Sequence, residues 1–322
     1  MRKIVKSQWF DRLTTDPERS RMDQLPKLLV IVGPTASGKS SLAVEIAQKF
    51  DGEIISADSR QIYRGMDIGT AKSDKKDLVK IKHHLVNIRN INQEYSVAEF
   101  KKYAINIIRK ILKNGKLPIL VGGTGLYIDA VVKNLEIPEI KEDKELRSKL
   151  EKEIETYGLD YVFRKLVNLD PEAAYIVDPK NPRRIIRALE IAILTGKPFS
   201  SQRNKGNQLF KTLILGIKQD PEILKNRIHK RTKQMLDDGL IQEVKKLIKK
   251  YGETQKPFDA IGYREIIDYL NGKKNLSEAE DLINKNSWHY AKRQITWFKR
   301  NKQIHWIKDK KEAFLLTKRF LD

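Results

Sequence analysis

The sequence predicts an α/β fold, a mainly parallel sheet with helices on both faces and a small helical insertion. Three observations carry that prediction. Apolar runs of strand length alternate with helical stretches from residue 28 onward, the pattern of β-α units that build parallel sheets. The first run, LLVIV (28–32), passes directly into GPTASGKS (33–40) and then into a helical segment. A later run, LPILV (117–121), ends in GGTGLY (122–127), where two glycines let the backbone turn tightly and approach a ligand closely.

Gly33, Gly38, Lys39 and Ser40 satisfy G-x-x-x-x-G-K-[ST] in the strand–loop–helix context that motif requires, which makes the core P-loop NTPase-like. Such a loop turns backbone N–H groups inward onto phosphate oxygens and adds the positive end of the following helix. The candidate diphosphate cradle is Gly33, Pro34, Thr35, Ala36, Ser37, Gly38, Lys39 and Ser40, with Lys39 on the outer phosphate and the Ser40 hydroxyl as an Mg²⁺ ligand.

Composition narrows the partners. The chain has 322 residues, with 64 Lys+Arg against 42 Asp+Glu, a net +22 that points to a polyanionic partner even if a lysine-rich proteome supplies part of the excess. The absence of cysteine excludes disulfides, cysteine–zinc sites and thiol catalysis, and suits a cytoplasmic protein. No apolar run reaches the ~18 residues of a membrane-spanning helix. Residues 1–25 lack the apolar stretch of a secretory signal and read as a poorly ordered extension, with Met22 as an alternative start to Met1.

In chain order, residues 39–49 form the first helix and EIISAD (53–58) a buried strand ending at Asp58, which therefore stands at the ligand-facing end of the sheet. His83 and His84 precede a short strand, LVNI (85–88). As neighbours they point to opposite sides, so a metal pair is not expected. Ser96 and Glu99 make a capping box for a helix that runs to Lys113 and is closed by Asn114-Gly115. Thr124 falls in the ligand crevice. The charged stretch 139–178 reads as the helical insertion, so the catalytic core comprises 26–138 and 179–322. Asn181-Pro182 opens a helix carrying Arg183, Arg184 and Arg187, a cluster suited to phosphate. TLILGI (212–217) is a further buried strand. Asp220-Pro221 opens a long helix with core residues Ile223, Leu224, Ile228 and Met235, interrupted at Gly239. FDAIGYREI (258–266) places an exposed Tyr263-Arg264 after a glycine. Ser277 and Glu280 make a second capping box, and IHWI (304–307) a last edge strand. On the final long helix, Lys292, Arg293, Lys299 and Arg300 alternate with Tyr290, Trp297 and Phe298, as on surfaces that bind phosphates and stack bases.

These residues leave open a small-molecule kinase and a P-loop enzyme acting on RNA. A non-catalytic nucleic-acid binder fits an intact loop facing Asp58 and Thr124 less well. A kinase would carry an acid after the strand at 117–121, where this chain has Gly-Gly-Thr.

The stretches GPTASGKS (33–40), DSRQIYRGMDIGTAK (58–72), HHL (83–85), GGTGLY (122–127), NPRRIIRALE (181–190), RIHKRTKQML (227–236), IGYRE (261–265) and KRQITWF (292–298) together resemble the tRNA dimethylallyltransferases, also called tRNA isopentenyltransferases. That resemblance covers residues 28 to 300. It implies transfer of the dimethylallyl group of dimethylallyl diphosphate to N6 of the adenosine at tRNA position 37, 3′ of the anticodon, with Mg²⁺ assisting. It further implies that the insertion grips the anticodon stem-loop; the chain is expected to act as a monomer. The alternative it leaves is prenylation of free adenine nucleotides. By resemblance Asp58 is the general base, Arg231 stabilises the leaving diphosphate, and Thr35 and Thr124 line the reacting centre. The implied tRNA contacts are Asp58, Ser59, Arg60 and Gln61; Arg183, Arg184, Ile185, Ile186 and Arg187; Asp259, Ala260, Ile261, Gly262, Tyr263 and Arg264; and Lys292, Arg293, Gln294, Ile295, Thr296, Trp297, Phe298 and Lys299.

Overall fold

The computed structural model describes residues 24–72, 81–138, 140–202 and 205–322. The expected N-terminal extension lies outside them as far as residue 23. In chain order the elements are β1 (Lys27–Val32), α1 (Lys39–Lys49), β2 (Gly52–Ser56), β3 (His83–His84), α2 (Val97–Lys113), β4 (Leu117–Gly122) and α3 (Gly125–Val132). The helices α4 (Lys144–Tyr157), α5 (Leu159–Leu169), α6 (Ala173–Ile176) and α7 (Pro182–Thr195) follow. The chain then gives β5 (Lys211–Ile217), α8 (Pro221–Asp237), α9 (Leu240–Tyr251), α10 (Tyr263–Leu270), α11 (Leu276–Lys299), β6 (Ile304–Ile307) and α12 (Lys310–Leu321).

Among the described residues one sheet forms, in the order β3-β2-β4-β1-β5-β6, and every pairing in it is parallel. The alternation of β1 explains the two covered faces. Leu28, Val30 and Val32 join the core beneath α2 and α3, while Leu29 and Ile31 join the core beneath α1 and α12. The phosphate loop leaves the carboxyl end of β1, between β4 and β5, so the ends of β1, β2 and β4 meet there. Gly122 makes that meeting possible, because a Cβ at this position would sit 2.1 Å from the Ala57 carbonyl oxygen.

Several local expectations hold in detail. The Ser96–Glu99 capping box forms with both reciprocal bonds, and Asp220 caps α8 through Glu222 and Ile223 N–H groups. Others shift. The third strand is His83–His84 itself, pairing with Ile54 and Ile55, and not LVNI. The capping box of α11 is Asn275 with Glu278, not Ser277 with Glu280, because the helix begins at Leu276. Ile223 is 48% exposed and lies off the core face of α8, where Leu224, Ile228, Thr232 and Met235 are buried. Tyr263, expected on the surface, has no exposed area.

The chain divides into two compact units, Lys133–Asn207 and the remainder. The first of these is larger than the insertion expected at 139–178, and it includes α7. The physical reason is packing: Ile185, Ile186 and Leu189 of α7 form one core with Leu150, Val162 and Leu166 of α4 and α5. Inside it the buried Glu190 accepts the Asp143 N–H at 2.8 Å, takes two bonds from Arg147 at 2.7 and 2.9 Å, and pairs with Arg187. Burial alone would raise this carboxyl, but the two guanidinium groups outweigh it and hold its pKa low.

Candidate active site

The site is built in the unit that contains the sheet, around the turn from β1 to α1. Gly38 takes a left-handed conformation (φ 91°) at the start of α1, and Ala36 does so at φ 60°. These two kinks curl the loop. The Gln294 side chain spans it from α11: its Oε1 accepts the Thr35 N–H at 2.8 Å, and its Nε2 donates to the Gly123 carbonyl at 3.0 Å. Gln294 thus ties the phosphate loop to the Gly-Gly-Thr turn after β4. Arg231 of α8 donates to Thr35 Oγ1 at 3.2 Å, and Arg227, one turn earlier, reaches the Ser37 carbonyl at 3.4 Å. Lys39 Nζ folds back on its own loop, donating to Pro34 O at 3.2 Å.

The second wall comes from the end of β2. Asp58 Oδ1 accepts the N–H groups of Arg60 at 2.8 Å and Gln61 at 3.4 Å, an Asx-type turn that fixes the carboxylate at the sheet end. Thr124 Oγ1 accepts the Ser59 N–H at 3.2 Å and also bonds the Tyr290 hydroxyl. Gln61 is held by Ser56 on one side and by the carbonyls of Thr70 and Ala71 on the other.

Charge and burial are opposed here. Burial pulls the Lys39 ammonium down to about 8; Asp58 resists that shift and Arg231 adds to it. Burial likewise lowers Arg231, against the pull of Asp58. Burial pushes the Tyr290 phenol up to about 12, with Asp58 acting in the same direction. Two cations and one carboxylate in a desolvated cleft form a site that gains from an incoming polyanion.

Two adjoining cavities open at this point, with about 630 and 1080 Å³ of empty space including parts open to solvent. The smaller is lined by Lys39, Ser40, Ser56, Gln61, His83 and Gly122, among others. The larger is lined by Arg60, Met235, Asp259, Ile261, Ser287 and Arg293, among others. Thr35, Asp58, Thr70, Arg231 and Tyr290 line both, so these five form the passage between them. Three of the five, Thr35, Asp58 and Arg231, are the residues that sequence reasoning placed at the reacting centre. Thr124 stands behind them, bonded to Tyr290. Thr70 and Tyr290 were not assigned there. Tyr290 lies four residues before Gln294 and so shares its helix face, a spacing that could have revealed it.

The residues expected to meet RNA divide by exposure. Ser59, Arg60 and Gln61 are half-buried beside Asp58, and Asp259, Arg264, Lys292, Arg293, Thr296 and Lys299 are exposed or line the larger cavity. In the smaller unit, Arg183 and Arg184 are exposed. Others face inward. Ile185 and Ile186 belong to the insertion core, and Arg187 is committed to Glu190 and to Ile140 O. Gln294 clasps the phosphate loop, Phe298 is buried in the sheet core, and Trp297 packs on Gly125 while donating to Asp129 Oδ2 at 3.2 Å. Tyr263 is buried and bonded to Glu243, and Ala260 and Gly262 are buried with it. His84 contacts Glu53 at 2.7 Å and His83 bonds Ile81 O at 2.7 Å, structural roles of the kind expected for this pair.

A complete phosphate loop joined through a carboxylate-lined passage to a second, larger cavity defines a P-loop enzyme that brings a phosphorylated donor to a separate acceptor. The comparisons with known proteins agree. The family model described as IPP transferase matches residues 61–301, and this chain belongs to that family. It is 47% identical over 279 residues to the tRNA dimethylallyltransferase of Thermoanaerobacter sp. (strain X514), which covers 85% of this chain and 89% of the relative. The crystal structure of the full-length tRNA isopentenylpyrophosphate transferase from Bacillus halodurans superposes with a TM-score of 0.67 at 40% identity, covering 92% of this chain and 95% of that one. A eukaryotic dimethylallyltransferase captured acting on tRNA gives a TM-score of 0.72 at 32% identity, covering 85% of this chain and 70% of that one.

Proposed function

We propose that this chain is an enzyme that transfers the dimethylallyl group of dimethylallyl diphosphate to N6 of an adenosine in tRNA, releasing diphosphate. The observation that carries the reading is the passage between the two cavities: a phosphate cradle on one side, room for a base on the other, and Asp58 between them. The donor's diphosphate lies in the loop amides with Lys39 and Arg231, and its allylic carbon points into the passage. The adenine enters from the larger cavity, flipped out of its stack because an amine inside a stacked loop cannot reach the carbon.

In the reaction the C1–O bond breaks, the C1–N6 bond forms, and the N6 proton passes to the Asp58 carboxylate. The exocyclic amine is a weak nucleophile, so positioning and a proton acceptor are the chain's contribution on that side. On the other side, the loop N–H groups, Lys39 and Arg231 meet charge that grows on the leaving oxygen, each well-aimed donor contributing about 3 kcal/mol. Thr35 and Thr124 hold Arg231 and Ser59 in place for these roles. Among the described residues no group of three acidic or histidine side chains is placed to hold a metal ion. The Ser40 hydroxyl beside the diphosphate oxygens is an all-oxygen set that suits Mg²⁺, which would neutralise leaving-group charge when bound.

The target is the adenosine at position 37, next to the anticodon. The exposed Arg183 and Arg184 of the insertion grip the anticodon stem-loop, and Arg264, Lys292 and Lys299, on the unit that carries the site, hold tRNA phosphates. The enzyme works as a monomer in the cytoplasm. The test is incubation with radiolabelled dimethylallyl diphosphate and bulk tRNA, followed by digestion to nucleosides. Label in a prenylated adenosine from the RNA is the expected result. Label on free AMP or ATP added in competition, with none in RNA, would sink the tRNA assignment.

A further inference from the structure

We propose that Glu243 is a positioning residue for this reaction, holding the loop that forms one wall of both cavities; the proposal rests on the function given above. The loop runs from Gly65 to Lys72, directly after the Asp58 turn. It is partly self-bonded: Thr70 Oγ1 donates to Met66 O at 2.6 Å, Ala71 N–H to Ile68 O at 2.9 Å, and Lys72 N–H to Asp67 O at 3.1 Å. That arrangement turns three successive backbone N–H groups, of Asp67, Ile68 and Gly69, away from the loop with no backbone acceptor. The Glu243 carboxylate of α9 takes all three, at 3.0, 2.8 and 3.2 Å. Three successive N–H groups on one anion form a nest, the same device that binds phosphates elsewhere. Here a side chain of the protein fills it.

The carboxylate is itself held. Tyr263 Oη donates to Glu243 Oε1 at 2.5 Å, and its ring lies flush on Gly69, where a Cβ would come within 2.5 Å of it. The loop is thus pinned from one side by three bonds to a single carboxylate, itself held by Tyr263, and from the other by Gln61, whose amide donates to Thr70 O and Ala71 O. The residue immediately after the nest is Thr70, one of the five that line the passage, and Ala71 lines the phosphate cavity. Glu243 touches neither substrate. It sets the distance between the Thr70–Ala71 wall and the phosphate loop opposite. Burial and the neighbouring Glu243 both push the Tyr263 phenol above its ordinary range, so it remains a proton donor to the carboxylate at any working pH.

The test uses Glu243→Gln in the full chain, which keeps the shape but replaces one acceptor oxygen by an amide that cannot accept. Each oxygen accepts two bonds, so the amide leaves two donors unpaired; the KM for dimethylallyl diphosphate is expected to rise about tenfold, the part of that loss that reaches the donor cavity. The Kd for inorganic pyrophosphate, measured by calorimetry, should rise in step, while tRNA affinity stays within about threefold. A residue that only stabilised the fold would lower the melting temperature and the active fraction and leave KM and the pyrophosphate Kd unchanged; that result overturns the proposal. Gly69→Ala keeps Glu243 but pushes the loop off the Tyr263 ring, and should give the same signature. If Glu243→Gln does not fold, an unchanged KM and pyrophosphate Kd in Gly69→Ala overturns the proposal by itself. A wild-type chain that fails to prenylate tRNA would refute the function instead, and the pyrophosphate measurements would still decide the role of Glu243.

Discussion

Binding of the donor should draw a proton from solution above neutral pH, because Lys39 changes its affinity for that proton when phosphate arrives. In the empty site, burial lowers its pKa from the model-compound value of 10.5 to about 8. A diphosphate beside the ammonium restores the charged form and raises the pKa again. The bound state therefore holds the proton more tightly than the free state. The stabilisation is fully present below about 8 and is lost as pH rises towards the bound-state value. At pH 9 about nine-tenths of the free enzyme lacks the Lys39 proton, so binding takes up about 0.9 proton and the association constant is about tenfold below its neutral-pH value. The assay is calorimetric titration with dimethylallyl diphosphate at pH 7 and pH 9, in pairs of buffers that differ in ionisation heat. This ligand is a diphosphate ester whose last ionisation lies near 6, by analogy with phosphate monoesters, so it does not titrate in this window. Lys39→Met serves as the control and should show weak, pH-independent binding. A flat affinity between pH 7 and 9 with no buffer-dependent heat would refute the reasoning.

Asp58→Asn keeps an oxygen for the Arg60 N–H but cannot take a proton. Turnover should fall about two to three orders of magnitude while pyrophosphate binding is retained, and a near-wild-type rate would remove Asp58 as the base. Gln294→Leu leaves the half-buried Thr35 N–H and the buried Gly123 carbonyl without these partners. That should cost about 2–4 kcal/mol and lower the melting temperature by roughly 5–15 °C in scanning calorimetry, and a shift under about 2 °C would contradict the clasp. Arg183→Ala and Lys292→Ala should each weaken tRNA binding and reduce the slope of log K against log salt by about 1, whereas unchanged slopes would place both on a solvated face.

The parts of the site legible in the sequence are those made by a few consecutive residues. The loop from Gly33 to Ser40 declares itself because its spacing dictates its shape, and Asp58 does so because it closely follows a buried strand, which ends at Ser56 and not at Asp58 as the run EIISAD suggests. The parts that were misread depend on which way a side chain faces. The stretch KRQITWF reads as basic and aromatic, yet on α11 Gln294 and Phe298 share the buried face, Ile295 and Trp297 are half-buried, and Lys292, Arg293 and Thr296 are exposed. A glutamine there counts as polar by composition, and nothing local reveals that its two partners lie at residues 35 and 123. Tyr263 fails for the same reason: its hydroxyl suggests surface, but Glu243 satisfies it inside. The insertion boundary was drawn by charge, while the fold draws it by packing, and the apolar face of α7 decides in favour of the smaller unit.

The clasp on the phosphate loop also has a temporal meaning. Thr35 and Gln294 are 259 residues apart, and Thr35 and Arg231 are 196 apart. A ribosome adding about 5–20 residues per second makes the loop roughly 13–50 s before it makes the glutamine that holds it. For the earlier part of that interval β1 also lacks its neighbour β5, since Leu29 and Ile31 pair with residues beyond 210. The nascent chain therefore carries the motif for phosphate long before it can hold any, and the donor site comes into being only when the last long helix has left the ribosome. Competence is set by the emergence of α11, not by the order in which the motifs are written.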